Sequence, residues 1–559
     1  MIKHININAP NAQISDFSFE FCCELNEIII ISSNITLGNN AFEECCNLTK
    51  VHFEGHLKSI HNYAFRLCRK LENIELPPSV ENIGHSAFSY CTQLKSFTFP
   101  ESLQTIKQNA FYQTLNISNV TILTPHIGIR ELIADFAQTL NTLQIGDKIA
   151  SISEQTFKEL PNLFSVCVNA TTIKERAFAS CAKLSKVTIG ENVQTIYMNS
   201  FEQCNNITDL IILNTNISNI DFVYGFKQSL TLITLNFNNI EGITFESFDN
   251  LRNVKFGENV EIIGNNTFYN CTKITEIKLP NSITKIGEKS FCQCVNLAKI
   301  NFSQNTKEIG SQAFKNCYQL TEVILPDSIE KIGSNSFESC VNVQSIELGQ
   351  NIKEIGSSTF SNCVKLTAIT LPKSIEIIDD NLFSQCYNLN QVNFGQSLSK
   401  IGKSSFTSCS VVNLIIPNTT SVIDSNAFYN CTKLINLHIG SHVSIINDYA
   451  FSNCYSLTYI YYYGIDEPQI SNNSFSQINT SKVIVTSSYK GNKFGTLEIN
   501  AASESADGMS KPVFYFLTIG VPIIVVAVVV VTIIVIVQIR KKLKKEGFTE
   551  FSSQLNEIK

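Results

Sequence analysis

A phenylalanine returns every 23 residues or so through most of this 559-residue chain, and that period governs what the chain can fold into. In the C-terminal half the anchors are Phe245, Phe268, Phe291, Phe314, Phe337, Phe360, Phe383, Phe406, Phe428, Phe451 and Phe475. In the N-terminal half they are Phe19, Phe42, Phe65, Phe88, Phe111, Phe136, Phe157, Phe178 and Phe201. Between Phe201 and Phe245 the spacing doubles, and Tyr224 is expected to fill the gap. Ile233 and Leu235 follow it at the offsets that Ile277 and Leu279 keep after Phe268. That makes 21 units ending near residue 485. Self-similarity at such a period marks an array in which each unit buries its apolar face only against its neighbours.

One full unit reads "LTAITLPKSIEIIDDNLFSQC" from Leu366. Leu366, Ile369 and Leu371 have the spacing of a leucine-rich repeat strand. Strand side chains alternate faces, so Ile369 and Leu371 point inward and Ala368 and Thr370 outward. Pro372 stops the strand because it cannot donate a ladder hydrogen bond. Ile375 and Ile378 then turn the chain over the far side, and Asp379, a Gly in most units, is expected to sit in a tight or left-handed bend. Phe383 re-enters the core. The fold class that follows is an α/β-type repeat solenoid, mainly β, of about 21 coils forming a leucine-rich repeat superhelix. At the usual inter-strand spacing it is roughly 100 Å long on its strand face. One C-terminal transmembrane helix is expected after it.

The unit C-x-x-L-x-x-I-x-L-P-x-S-I-x-x-I-G-x-x-A/S-F-x-x-C resembles the BspA-like, treponemal-type leucine-rich repeat. "CTKITEIKLPNSITKIGEKSF" from Cys271 and "CYQLTEVILPDSIEKIGSNSF" from Cys317 carry the resemblance most fully. It extends over residues 15 to about 485, with departures from Phe111 to Phe157 and around Tyr224. The resemblance implies a surface protein that attaches to host matrix proteins or cells.

Fifteen of the 19 cysteines lie three residues after an anchor aromatic. Phe248 stands in for Cys in its unit, so the position reads as a small buried hydrophobe, not as a disulfide framework. Cys23, Cys46, Cys167 and Cys292 fall outside this ladder and are the candidate reactive thiols. No paired C-x-x-C motif has zinc spacing, and His52, His56 and His61 read as solvent histidines, so neither metal nor cofactor is expected. The chain has no H-E-x-x-H, G-x-S-x-G, phosphate-loop or dinucleotide motif, which argues against an enzyme.

Val513–Val537 is 25 residues without a charge, enough to cross a bilayer. Arg540, Lys541, Lys542, Lys544 and Lys545 follow it and place that end in the cytoplasm. The expected organisation is a repeat ectodomain over 1–485, a stalk over 486–512, the span over 513–537 and a basic tail over 538–559. The net charge of −6 argues against nucleic acid as a partner. Fourteen N-x-S/T sequons, Asn47, Asn116 and Asn301 among them, fit a glycosylated exterior. The N-terminus, by contrast, lacks the continuous apolar run of a usual signal peptide.

The expected function is therefore a single-pass plasma-membrane surface protein binding extracellular or host proteins or glycoconjugates, with lateral self-association open to it. The candidate contact residues are the outward strand positions Glu276, Lys278, Lys299, Asn301, Glu347, Thr370, Asn393 and His438, joined by Tyr459 and Tyr461 of "TYIYYYG". The alternative is a tail-anchored scaffold with the same repeats facing cytosolic proteins.

Overall fold

Period-two alternation and the 23-residue step are both realised as stacked parallel strands. The computed structural model describes residues 2–213, 217, 220–236, 240–479 and 481–503. The expected membrane span, the tail and the last part of the stalk lie outside the described residues. Among those residues no helix is long and apolar enough to cross a membrane. The chain divides into two compact units, Met1–Val411 and Val412–Lys559. Both are wound as mainly-β coils, about 21 in all.

In the first unit eight parallel strands, from Ser96–Phe99 to Asn253–Phe256, form one sheet. Short strand pairs continue the pattern, such as Glu276–Lys278 beside Lys299–Asn301 and Ala368–Thr370 beside Gln391–Asn393. The register is one whole repeat: Ile277 faces Ile300 and Ile369 faces Val392. Ile369 and Leu371 are buried, and Ala368 and Thr370 are exposed, as the alternation requires. Ile375 and Ile378 are also buried, and Ile377–Ile378 form a second, two-residue strand paired with Lys400–Ile401. Each regular coil therefore has two short strands and then an arc that carries the anchor Phe.

The arc has a conformation that the repeat did not announce. Among the described residues all 35 non-glycines with positive φ lie two positions before or after an anchor aromatic. Around Phe337 they are Asn335 (φ 59°) and Ser339 (φ 60°). Alternating left- and right-handed residues direct every second N–H at the next coil. Asn335, Phe337 and Ser339 donate to the carbonyls of Ser357, Thr359 and Ser361 at 2.9, 2.9 and 2.8 Å. The arc is thus a third hydrogen-bonded ladder.

The glycine position is not the left-handed one. Among the described residues only Gly55, Gly242 and Gly495 are positive-φ glycines, and none is the repeated glycine. A Cβ at Gly333 would instead lie 2.5 Å from the backbone N of Ser311 in the preceding coil. Close approach between coils, not handedness, selects glycine there. Asp379, at the same place, is half-buried, and burial raises its carboxyl above the ordinary range.

The anchors form the core. From Phe245 to Phe406 successive rings stack at 5.2 to 5.7 Å, with interplanar angles of 19° or less. Stacking fails at the two departures seen in the sequence. Phe136 meets Phe111 edge-on after the short helix Ile129–Ile133. Tyr224 does not take the missing anchor place, because it is 41% exposed. Asp221–Phe226 forms a 3-10 helix, which turns Phe222 and Phe226 into the core and Tyr224 outward. The strand after it keeps its register, with Ile233 and Leu235 fully buried.

In the second unit the strands Asn413–Ile415, Asn436–Ile439, Tyr459–Tyr462 and Lys482–Thr486 pair in parallel. The chain does not pass into a stalk at residue 486. Leu497–Ser503 pairs in parallel with Lys482–Thr486, and Lys493–Phe494 folds back on it antiparallel. Phe494 is fully buried, packed on Tyr462 and Phe475 at 5.1 and 6.0 Å. Its ring covers apolar surface that a further coil would otherwise bury.

Candidate binding face

Alternation places every outward strand residue on the solvent side of its unit's sheet. In the first unit Glu276, Lys278, Lys299, Asn301, Glu347, Thr370 and Asn393 are all exposed. The register brings some of them together. Glu276 pairs with Lys299, their charged atoms 4.0 Å apart. Thr370 pairs with Asn393, whose Nδ2 donates to the Thr370 hydroxyl at 3.1 Å. Lys278 faces Asn301 and Glu347 faces Ile324. This stretch is a polar surface whose groups partly satisfy one another between coils. An exposed pair at 4.0 Å contributes well under about 1 kcal/mol and leaves both side chains available.

In the second unit the sequence-predicted residues are more concentrated. His438 and Tyr461 are register partners with rings 4.5 Å apart and 4° from parallel. The Tyr463 hydroxyl lies 2.7 Å from His438 Nδ1, one donating to the other according to the imidazole tautomer. Tyr459 lies 6.2 Å from Tyr461, and the Lys482 ammonium stands 5.9 Å from the Tyr459 ring centroid. Burial lowers the pKa of His438 and, with Tyr461 beside it, raises Tyr463 to about 12. The imidazole is therefore neutral and the phenol protonated at neutral pH. Tyr463 and Lys482 complete the cluster and were not among the residues singled out from sequence. Period-two counting onward from Tyr459 and Tyr461 reaches Tyr463, so the signal was present. Tyr462, between them, points inward, and its hydroxyl donates to the Asp466 carbonyl at 2.8 Å.

The cysteine ladder faces the other way. Cys68, Cys91, Cys317, Cys340 and Cys363 are fully buried. Each thiol lies within hydrogen-bond reach of the anchor carbonyl one coil back, Cys340 Sγ at 3.3 Å from Phe314 O. Burial pushes Cys340 up to about 12, so it is a thiol at any ordinary pH. Thr114 makes the same bond, its hydroxyl 2.7 Å from the Phe88 carbonyl, so the position selects a small donor as well as a small hydrophobe. The four cysteines outside the ladder separate. Cys292 is buried and Cys167 half-buried, whereas Cys23 is exposed and lies beside Cys46. His52 and His56 are exposed on their strand, as expected of solvent histidines. Among the described residues no group of three or more His, Cys, Asp or Glu could hold a metal ion.

The repeat model described as the BspA-type leucine-rich repeat region matches residues 2–133, 134–251, 238–367, 307–435 and 353–482. The chain belongs to the BspA-type leucine-rich repeat family. Among solved structures, a leucine-rich repeat protein from Bacteroides ovatus is 21% identical over 82% of this chain and 87% of that one, with a TM-score of 0.35. The T. pallidum leucine-rich repeat protein is 31% identical over 27% of this chain and 70% of its own, with a TM-score of 0.26. A leucine-rich cell surface protein from Faecalibacterium prausnitzii is 20% identical over 70% and 88%, with a TM-score of 0.21. No curated protein sequence matches the chain. The assignment rests on the repeat itself. BspA-type repeats present a binding surface and are a non-catalytic class.

Proposed function

We propose that this chain is a surface protein, held in the membrane by residues 513–537, that recognises extracellular or host proteins or glycoconjugates through its strand faces. The observation that carries this reading is the cluster of His438, Tyr459, Tyr461 and Tyr463 on the solvent side of the second unit's sheet. Large half-buried aromatics with polar tips offer contact area at little entropic cost and dominate protein-recognition surfaces. In the first unit the charged and amide residues from Glu276 to Asn393 offer a separate, broad polar surface to the same class of partner.

The test has two parts on cells expressing the full chain. An epitope inserted near Ser505 should be labelled on intact cells, and those cells should adhere to a coat of extracellular-matrix protein. Tyr459→Ala with Tyr461→Ala should reduce adhesion at least tenfold while surface labelling stays constant, as expected for two anchors of about 1 kcal/mol or more each. Labelling only after permeabilisation would sink the surface reading and leave the cytosolic scaffold in its place. Undiminished adhesion of the double variant would move the binding surface away from the aromatic cluster.

A further inference from the structure

The sequence has two Cys-Cys pairs, Cys22-Cys23 and Cys45-Cys46, one repeat apart. The first member of each occupies the ladder: Cys45 is buried, its Sγ 3.2 Å from the Phe19 carbonyl. The second member of each faces away from the core. Cys23 is exposed, Cys46 is partly so, and their sulfurs are 3.3 Å apart. Both thiols also approach the carbonyl of Glu44 at 3.3 Å, which fixes them on the same side of the coil.

Three observations distinguish this pair from the ladder. It is open to solvent, whereas ladder thiols such as Cys68 and Cys91 are closed off by the core. It stops after two coils, because the next coil has Arg69 at the equivalent position. And its first arc is little covered: Phe17 and Phe21 of that arc are 56% and 60% exposed.

From this geometry we infer that Cys23 and Cys46 form a disulfide that fastens the first arc to the second. The sulfurs need close by only about 1.3 Å from their 3.3 Å contact to reach bonding distance, and stacked coils hold equivalent backbones at a separation a disulfide accepts. The oxidant is a low-molecular-weight disulfide of the glutathione class. The thiolate of one cysteine attacks it, forming a mixed disulfide and releasing one small thiol. The second cysteine, deprotonated, then attacks the protein sulfur of that mixed disulfide and expels the second small thiol. Two protein thiols become one disulfide and one small disulfide becomes two thiols, so atoms and electrons balance. Burial, Cys23 and Glu44 raise the Cys46 thiol above its ordinary value, and the guanidinium of Arg69 opposes them without reversing the direction. Formation in the test below does not depend on which side of a membrane the repeats occupy, whereas persistence in a cell needs an oxidising compartment.

The test treats the reduced full chain, natively folded, with oxidised glutathione, then blocks remaining thiols and maps the peptides by mass spectrometry. A Cys23–Cys46 link should form, reversible by reductant, with ladder cysteines unmodified. In Cys23→Ser and in Cys46→Ser the link should vanish, and the remaining cysteine should hold glutathione as a stable adduct. The wild type should accumulate that adduct about tenfold less, because the second attack is intramolecular. Cys22→Ser, which leaves the pair intact, should retain the link and resolves which of the adjacent cysteines is joined. Stable adducts on the wild type without closure, or a link that survives in Cys23→Ser, would overturn the inference.

Discussion

Single residues in this fold are judged against the same position in other coils, which turns the repeat into its own control. The residue before each anchor is Ala at Ala41, Ala64, Ala313 and Ala427 but Ser at Ser290, Ser336 and Ser405. All are buried. The Ser336 hydroxyl donates to the Gly333 carbonyl, and the Gly310 carbonyl lies 3.2 Å away, whereas the Ser290 and Ser405 hydroxyls have no partner. Ser290→Ala should therefore stabilise the first unit by about 1 kcal/mol and Ser336→Ala destabilise it by a similar amount. Denaturant unfolding would show the opposite signs, and equal signs would refute the argument. A second comparison concerns the left-handed positions. Ser358 has φ 57°, and Ser358→Val should cost about 1–2 kcal/mol while Ser358→Gly costs little, measured the same way. The apolar rungs were legible in the sequence because burial selects residue type directly. The handedness of the arc was not, because Asn, Gln, Ser and Glu there read as ordinary surface residues. Its signature was an avoidance instead: none of the 35 positive-φ positions is Val, Ile or Thr. The thiol of each ladder Cys was likewise read as apolar, since a donor pointing at a carbonyl leaves no mark except the Thr at Thr114.

At the scale of an element, strand alternation was enough to find the solvent-facing residues but not what they do to one another. His438 and Tyr461 are 23 residues apart, and only the one-repeat register stacks them. Tyr224 shows the opposite failure. Counting to Ile233 and Leu235 correctly predicted the strand, but a 3-10 helix of six residues absorbed the spacing and gave the core to Phe222 and Phe226. The aromatic cluster has a pH signature. Burial lowers His438 in the folded state, so as pH falls the unfolded chain takes up the proton first, at about 6.5. Stability of the second unit is then complete above that value and is lost as pH falls through it toward the lowered folded pKa. His438→Phe keeps a ring against Tyr461 but cannot titrate. Urea unfolding of the wild type should weaken between about pH 7 and 5 more than that of His438→Phe. Equal pH dependence would mean that the imidazole is not the group responsible.

The whole first unit behaves, on this architecture, as a line of coils and not as one globule, and that has a consequence for how it fails. Phe337 stacks on Phe314 at 5.2 Å and on Phe360 at 5.7 Å, and these two rings are its partners in the column. Phe337→Ala removes both contacts and leaves a cavity, a loss of about 3–5 kcal/mol. In a globular domain such a loss is shared by every cooperative element. In a stacked array it falls on two interfaces, because stability is a sum of coil and nearest-neighbour terms. The expected result by native-state hydrogen exchange is faster exchange of arc amides such as Asn335, Phe337 and Ser339, and of the flanking coils from about Phe314 to Phe360. Amides of the eight-stranded sheet between Ser96–Phe99 and Asn253–Phe256 should keep their protection. Glu347→Ala, on the exposed side of the neighbouring strand, should change neither region and serves as the control. Uniform loss of protection across the unit would mean that coupling extends well past adjacent coils, and the nearest-neighbour account would fail. Local failure would also mean that substitutions on one stretch of the strand face leave distant coils folded, which is the condition under which the binding tests above report on contact and not on collapse.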